Sequence, residues 1–269
     1  MPSNAPEAAP ASRRRHHEDP TLNRSLARGV EILRAFKPGA ALLGNGELAE
    51  RTGLSRATVS RLVQTLVEAG LLEHDRARRA YRLAAPLLSF AHAMRAGSPV
   101  LAVAAPRMRR LAEKLRVNVG LAMADRDEMV YLESVRYNRK VSLRNVVAGQ
   151  RVPIELTSLG RAYLAVAPAA ERRTLMALFR RRRRAQWEPL RRAIDEAAAS
   201  VKAHGYCAAS WQPEVVALAT PIVVAGHPPY LLNISIATAG SLAEAERELR
   251  APLLKLAREI AAALAQLAA

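Results

Sequence analysis

The chain has 269 residues, half of them hydrophobic and only 4% aromatic, with a formal net charge of +17 and a pI of about 11.2. That length points to two folded units, with a core built mainly from Leu, Val, Ile and Ala. The positive excess favours polyanionic partners, nucleic acid ahead of an anionic membrane surface, although an arginine-rich chain with solvated faces carries the same charge. The single cysteine, Cys207, excludes an internal disulfide and a cysteine-rich zinc site, and suits a reducing compartment. Residues 1–20 lack the apolar run of a secretory signal, and no stretch approaches the ~20 apolar residues of a membrane span. A soluble, cytoplasmic protein with no membrane partner is expected.

Residues 1–20 are rich in Pro, Ala and Ser and carry Arg13-Arg14-Arg15-His16-His17. They are expected to form a disordered basic tail, with too little apolar surface to offset ordering entropy. From Ser25, the residues Leu26, Val30 and Leu33, with Ile32 and Phe36, recur at helical intervals until Pro38-Gly39. A second short helix fits 47–52, with Leu48 and Ala49 inward and Gly53 as its left-handed stop. Ser55 then offers a hydroxyl to the free N–H groups of a third helix, 56–69, ended by Gly70. Residues 71–74 and 80–83 read as two short strands around a polar, basic tip, 75–79. Helix, helix, turn, helix and β-ribbon over 21–85 is a winged helix-turn-helix.

The third helix carries the chemistry. Val59, Leu62, Val63 and Leu66 form one apolar stripe. Ser55, Arg56, Ala57, Thr58, Ser60, Arg61 and Gln64 remain for the other face, whose small residues, amide and guanidinia suit entry into a major groove and contact with base edges. Arg76, Arg78 and Arg79 at the wing tip would meet the DNA backbone or an adjacent minor groove. An ordinary three-helix cap with exposed arginines is the alternative, but cap, turn, stripe and wing agree on one answer.

A helical linker is expected over 86–104, with Leu87, Leu88, Phe90 and Ala91 mostly apolar and a break at Gly97-Ser98-Pro99. The larger domain, 105–269, continues a helix over 100–115. Strands follow at 117–124, 129–135 and 141–146, the first two joined by Asp125-Arg126-Asp127-Glu128. A helix over 159–166 leads to further helices through Lys202, then to strands near 215–224 and 230–237. A long final helix from Leu242 aligns Leu249, Leu253, Leu256 and Ile260. Antiparallel strands flanked by helices make an α+β domain. There is no nucleophile elbow, phosphate loop, dinucleotide fingerprint or metal-ligand spacing, so no catalytic residue, metal or cofactor is assigned. For the arginine run 180–184, a solvated face or intersubunit contact outweighs a second nucleic-acid contact. Cys207 reads as a small core or pocket residue rather than a reactive thiol.

The strings Leu26-Ala27-Arg28-Gly29-Val30-Glu31-Ile32-Leu33, Glu47-Leu48-Ala49-Glu50-Arg51-Thr52-Gly53-Leu54-Ser55 and Ala57-Thr58-Val59-Ser60-Arg61-Leu62 resemble the IclR family of bacterial regulators. So do Met129-Val130-Tyr131-Leu132-Glu133, Thr157-Ser158-Leu159-Gly160-Arg161-Ala162, Ala219-Thr220-Pro221-Ile222 and Asn233-Ile234-Ser235-Ile236, in that order to the C-terminus. The resemblance implies an N-terminal winged helix-turn-helix, a helical linker that holds DNA-binding domains together, and a C-terminal GAF-like α+β effector-binding domain. It also implies a homodimer or homotetramer on a palindromic double-stranded DNA operator, and a small organic acid as effector. Carried over position by position, the pocket falls on Leu159, Gly160, Arg161, Ala209, Trp211, Ala217, Ser235 and Ala237. Gly160 would let a helix N-terminus approach a carboxylate closely, and Ser235 would supply a hydroxyl.

The chain departs from that family where polar pocket groups are expected, with Cys207-Ala208-Ala209-Ser210-Trp211-Gln212, Glu214, Ala217 and Ala237. A pocket with fewer polar partners favours an aromatic or otherwise partly apolar acid, and hence control of genes for catabolism of such an acid. Loss of ligand control, or a 207–212 segment packed on itself, is the alternative. Two further classes stay open: a small-molecule enzyme with an accessory winged helix, and a nonspecific nucleic-acid or scaffold protein.

Overall fold

The computed structural model describes residues 22–137, 146–212, 215–237 and 242–268. The expected tail 1–20 and residues 141–145 of an expected strand lie outside the described residues. The chain splits into two compact units, Met1–Met94 and Arg95–Ala269.

The smaller unit holds α1 (Arg24–Ala35), α2 (Asn45–Thr52), α3 (Arg56–Glu68), β1 (Leu72–Asp75), β2 (Ala80–Leu83) and most of α4 (Pro86–Ala96). Its core is Ile32, Leu43, Leu48, Val59, Val63 and Leu72, with Leu62 and Leu66 half-buried beside it. Asn23 caps α1 by accepting from the Leu26 N–H, and Glu47 caps α2 by accepting from the Gly44 N–H at 2.9 Å. Gly53 closes α2 at φ 70°, its N–H on the Ala49 carbonyl. One part of the expected apolar pattern turns outward. Leu26 is 68% exposed and Val30 40%, while Ile32 is fully buried. Helical spacing marks an apolar face, but only packing decides which residues of it meet α3.

The larger unit contains α5 (Pro99–Leu115), β3 (Asn118–Asp125), β4 (Glu128–Val135), β5 (Arg151–Pro153), α6 (Ser158–Val166), α7 (Ala169–Arg182), α8 (Trp187–His204), β6 (Cys207–Gln212), β7 (Val215–Ile222), β8 (Tyr230–Ala237) and α9 (Leu242–Ala268). Its strands form one antiparallel sheet in the order β5-β4-β3-β8-β7-β6. Strand alternation divides the core. Val119, Leu121, Val216, Leu218, Leu232 and Ile234 pack with α5 and α9, whereas Ala122, Tyr131, Cys207, Ala219 and Leu231 pack with α6, α7 and α8. All of Leu249, Leu253, Leu256 and Ile260 are buried, and each such side chain is worth about 1.5–3 kcal/mol.

Two boundaries differ from the sequence reading. Val100, Leu101, Val103 and Ala104 are buried in the larger unit's core, so residues 99–104 belong to it rather than to a linker. The segment 207–212, assigned to no element from sequence, forms edge strand β6, paired with β7.

A bulge re-aims β4. Leu121 pairs with Glu133 and Ala122 with Tyr131, which leaves Leu132 as the extra residue. Alternation alone puts Tyr131 toward α6 and Leu132 in the opposite core, and the extra residue brings Val135 to the Leu132 side instead of the Tyr131 side. Arg95 fastens this bulge, donating to the Leu132 carbonyl and pairing with Glu133 at 2.8 Å.

Helix α6 is held by the segment just ahead of it. The Thr157 hydroxyl donates to the Pro153 carbonyl at 2.9 Å and accepts from the Gly160 N–H at 3.2 Å. A Cβ at Gly160 would lie 2.1 Å from the Ile154 carbonyl oxygen and 2.2 Å from its Cα. Backbone cannot yield there as a flexible side chain could. Gly160→Ala is expected to lower stability by about 1–3 kcal/mol through overpacking. Gly29→Ala in α1, where an added Cβ meets nothing within 4 Å, is expected to be neutral or to gain up to about 1 kcal/mol from helix propensity. Chemical denaturation of both variants reads the contrast, and equal midpoints would refute it.

Candidate functional site

The first candidate site is the leading face of α3. Ser55 caps the helix, its hydroxyl accepting from the Thr58 N–H at 3.2 Å and meeting the Thr58 hydroxyl at 2.9 Å. With Val59 and Val63 fully buried, Arg56, Ala57, Arg61 and Gln64 are exposed, and Thr58 and Ser60 are half-buried. Thr58 thus spends its hydroxyl partly on the cap. Among the described residues, no ion pair engages Arg56 or Arg61, so both guanidinia are available to an outside partner.

The wing is a two-stranded ribbon with Leu72 opposite Leu83 and Asp75 opposite Ala80, and Tyr81 bridges to Leu43. His74 stacks on Tyr81 with ring centroids 4.8 Å apart. At the tip, the Arg78 N–H donates to Asp75 at 3.0 Å and holds that carboxyl below its usual range. Arg79 adopts φ 47°, and Arg76, Arg78 and Arg79 are all exposed. A capped helix and a basic ribbon within one small unit can present donors to a groove and cations to phosphates.

The second candidate site is the α6 face of the large sheet. Strand register brings Asn118, Ser235, Ala217 and Ala209 into one transverse row. Gly120, Asn233, Ala219 and Cys207 form the next. Three of the expected effector residues, Ala209, Ala217 and Ser235, therefore stand side by side. Trp211 lies in β6, and Ala237 closes β8 opposite Val215. Leu159 is a core residue, 1% exposed.

Gly160 does not meet the expectation placed on it. Its missing Cβ makes room for the Ile154 backbone, and its N–H already belongs to Thr157. Arg161 turns its Nε to the Glu155 carbonyl at 3.2 Å, and burial lowers its pKa against the charges of Cys207 and Glu196.

Three residues of this face escaped the sequence reading. Asn233 is buried, and its Oδ1 has no hydrogen-bond partner. A Cβ at Gly120 would lie 2.4 Å from that oxygen and 2.5 Å from the Tyr131 ring, so Gly120 is what lets both groups converge. Burial raises the Tyr131 phenol to about 12, although a hydrogen bond from Asn233 opposes the rise. The signal available was the two-residue period: Asn233 shares a face with Ser235.

The arginine run 180–184 is divided. Arg182 pairs with Asp127, and Arg183 reaches the fully buried Glu155 at 3.1 Å. Arg180, Arg181 and Arg184 surround a hollow at Ala177. Cys207 is buried, its thiol donating to the Ser158 carbonyl at 3.4 Å. Among the described residues, no cluster of His, Cys, Asp or Glu could hold a metal ion, and no single helix is long and apolar enough to cross a membrane.

Both halves of the chain match known families. Residues 25–76 match the IclR helix-turn-helix domain, and residues 92–262 match the bacterial transcriptional regulator IclR C-terminal domain. The HTH-type transcriptional regulator TsaQ1/TsaQ2 of Comamonas testosteroni is 33% identical over 218 residues, 80% of this chain and 78% of that protein. The crystal structure of an IclR family transcriptional regulator from Brucella abortus matches with a TM-score of 0.83 at 33% identity, over 92% of this chain and 94% of that one. An IclR homologue from Microbacterium hydrocarbonoxydans, complexed with 4-hydroxybenzoate, shares the fold with a TM-score of 0.66 at 24% identity, over 89% and 98%. The matched families and the Comamonas relative are transcriptional regulators, not enzymes.

Burial raises the Cys207 thiol from 9.0 to about 12, against the pull of Arg161. Between these values the native state keeps a proton that the unfolded chain releases. Stability should therefore fall as pH rises from about 9 towards 12. Cys207→Ala is expected to flatten the part of that fall that starts near 9, as read by denaturation curves at successive pH values. An unchanged slope would mean the thiol ionises freely in the native protein.

Proposed function

Because the chain belongs to the IclR family of bacterial transcriptional regulators, we propose that it binds a palindromic double-stranded DNA operator as a homodimer or homotetramer, under the control of a partly apolar organic acid. The observation that carries the DNA reading is the capped start of α3, where Arg56, Arg61 and Gln64 are exposed. Arg56, Arg61 and Gln64 would reach base edges, while Ser55, Ala57, Thr58 and Ser60 let the helix lie close and contact phosphates. Arg76, Arg78 and Arg79 on the wing would add backbone contacts.

Assembly is supported by apolar groups the smaller unit leaves in water. Leu22, Leu26 and Val30 at α1, and Leu88, Phe90 and Met94 on α4, are all exposed. A second copy covering them would bury that surface, and a symmetric pair of winged helices reads symmetric half-sites.

The effector reading rests on the α6 face. Ala209, Ala217 and Ser235 form a row of small side chains, and Asn233 Oδ1 is a buried acceptor awaiting a donor. An aromatic acid bearing a phenolic hydroxyl would fill the apolar space and donate to that oxygen. The Microbacterium homologue's 4-hydroxybenzoate makes this the first acid to try. Its effect on DNA would equal its difference in affinity between two states of the regulator, and the genes controlled would serve catabolism of such an acid.

Selection of genomic fragments by the purified protein, with and without candidate acids, tests the DNA reading. A palindrome should emerge whose recovery the acid alters. Arg61→Ala should cost about 1–3 kcal/mol at one operator position if it reads a base, or weaken all sequences alike if it holds a phosphate. Operator binding unchanged by Arg61→Ala would remove Arg61 from the interface, and fragments bound without preference would overturn sequence-specific regulation. For the effector, calorimetry should rank 4-hydroxybenzoate above benzoate, and Asn233→Ala should abolish that ranking. Tight binding of glyoxylate or pyruvate alone would overturn the aromatic reading.

A further inference from the structure

A second concavity lies within the larger unit, on residues the proposed effector face does not use. It is an open cleft of about 800 Å³ between the end of α6, the end of α8, the last residues of β7 and the middle of α9. Its volume is within the ~300–1,000 Å³ of small-molecule sites. None of the eight residues expected to hold the effector lines it.

The chemistry of the lining is one-sided. Five alanines, with Val166, Pro221, Ile222 and Leu254 among others, make an apolar floor. Alanines keep parts of the α8 and α9 surfaces low at the end of β7, and Leu254, Lys202 and Arg258 stand around them. Gly205 adds to this, since a Cβ there would come 3.3 Å from the Leu254 side chain. Val223, 62% exposed, stands in water at one edge. The single hydroxyl, on Thr220, is already donated to the Gly205 carbonyl at 2.7 Å.

The remaining lining groups are all cations. Arg172 is committed to the Leu164 carbonyl and to Asp195. Lys202 and Arg258 are exposed and, among the described residues, have no ion pair. No acidic residue lines the cleft. Two positive groups beside an apolar floor, paired with no carboxylate among the described residues, select against cations and against fully polar anions. A phosphate or oxalate would find the charges but gain nothing from the alanines, and a neutral hydrocarbon would gain only the floor.

We propose that this cleft binds an amphipathic monocarboxylate, its carboxylate held between Lys202 and Arg258 and its apolar body along Ala198, Ala257 and Ala261. It is a second ligand site, independent of the effector face, and it joins α8 to α9 across the end of β7. Occupancy would tie together two helices that cover opposite faces of the sheet.

Octanoate, kept below its micelle threshold, is the probe, with octan-1-ol and octylamine as controls, all titrated calorimetrically into the full chain. Octanoate is expected to bind at least about tenfold more tightly than octan-1-ol, and octylamine not at all, because the carboxylate supplies the charge-assisted contacts. Lys202→Gln with Arg258→Gln, both exposed and so safe for folding, should bring octanoate down to the octan-1-ol level. Ala198→Leu should abolish binding by filling the floor, while 4-hydroxybenzoate titrates as in the parent. Octanoate affinity untouched by the charge-neutral pair, or absent from the parent protein, overturns the proposal. So does a changed sedimentation coefficient in Ala198→Leu alone, which would make the cleft an interface between copies. Because both ligands are monocarboxylates, the variants tell the sites apart: Asn233→Ala should alter 4-hydroxybenzoate binding and leave octanoate unchanged, and the Lys202→Gln with Arg258→Gln pair should do the reverse.

Discussion

The contact on which the sensing unit depends is backbone against backbone. Gly160 lies directly on Ile154, six residues earlier in the chain, so the segment between them must fold back tightly before α6 can begin. Most of its polar groups are used in doing so: Thr157 bonds Pro153 and Gly160, Arg161 bonds the Glu155 carbonyl, and Glu155 Oε1 takes Arg183 from just past α7, leaving Oε2 buried without a partner. This knot fixes how closely α6 lies over the sheet. The height of the space above Ser235, Ala217 and Ala209 follows from it. A larger residue at position 160 would lift the helix away from the face it covers.

Charge is distributed by a similar economy. The chain holds 41 basic and 24 acidic residues, so acids run out before arginines do. Several of the acids are paired within the larger unit and along the wing ribbon: Asp125 and Glu128 with Arg151, Asp195 with Arg172, Glu73 with Arg82. An exposed pair such as Arg82 with Glu73 adds little stability. The consequence of these pairs is selective, because they determine which guanidinia remain available. Arg56 and Arg61 remain so on α3, and Lys202 and Arg258 remain so on the cleft. A positive surplus that looks uniform in composition becomes local in the folded chain.

Much of the DNA-binding unit was legible in the sequence because its determinants are local. A cap bonds a residue three positions away, as Ser55 does with Thr58, and a stripe such as Val59 and Val63 recurs within one helix. The sensing face was less legible because its neighbours are remote. Ser235 meets Ala217 and Asn118 through strand pairing, and nothing local to Asn118 announces that partnership. The bulge at Leu132 illustrates the difficulty. One extra residue in β4 brings Val135 to the same side as Leu132, opposite Tyr131, where simple alternation would return it to the Tyr131 side. Gly160 approaches the Ile154 backbone closely, and nothing local to Gly160 names Ile154 as the group it meets.

By itself, then, the amino-acid sequence determined the order of most elements, the winged helix-turn-helix and its outward-facing residues, and an α+β second unit with a buried stripe on its last helix. These follow from periodicity, caps and turn residues, which act within a few positions along the chain. Only the tertiary structure decided that Leu26 and Val30 face outward, that 207–212 is an edge strand, that Asn233 and Tyr131 converge over Gly120, and that small residues from α8 and α9 leave a cleft between them. Each of these depends on what a residue meets across a sheet or a helix interface. Such meetings are set by the register and packing of segments distant in sequence, a property no window of local sequence contains.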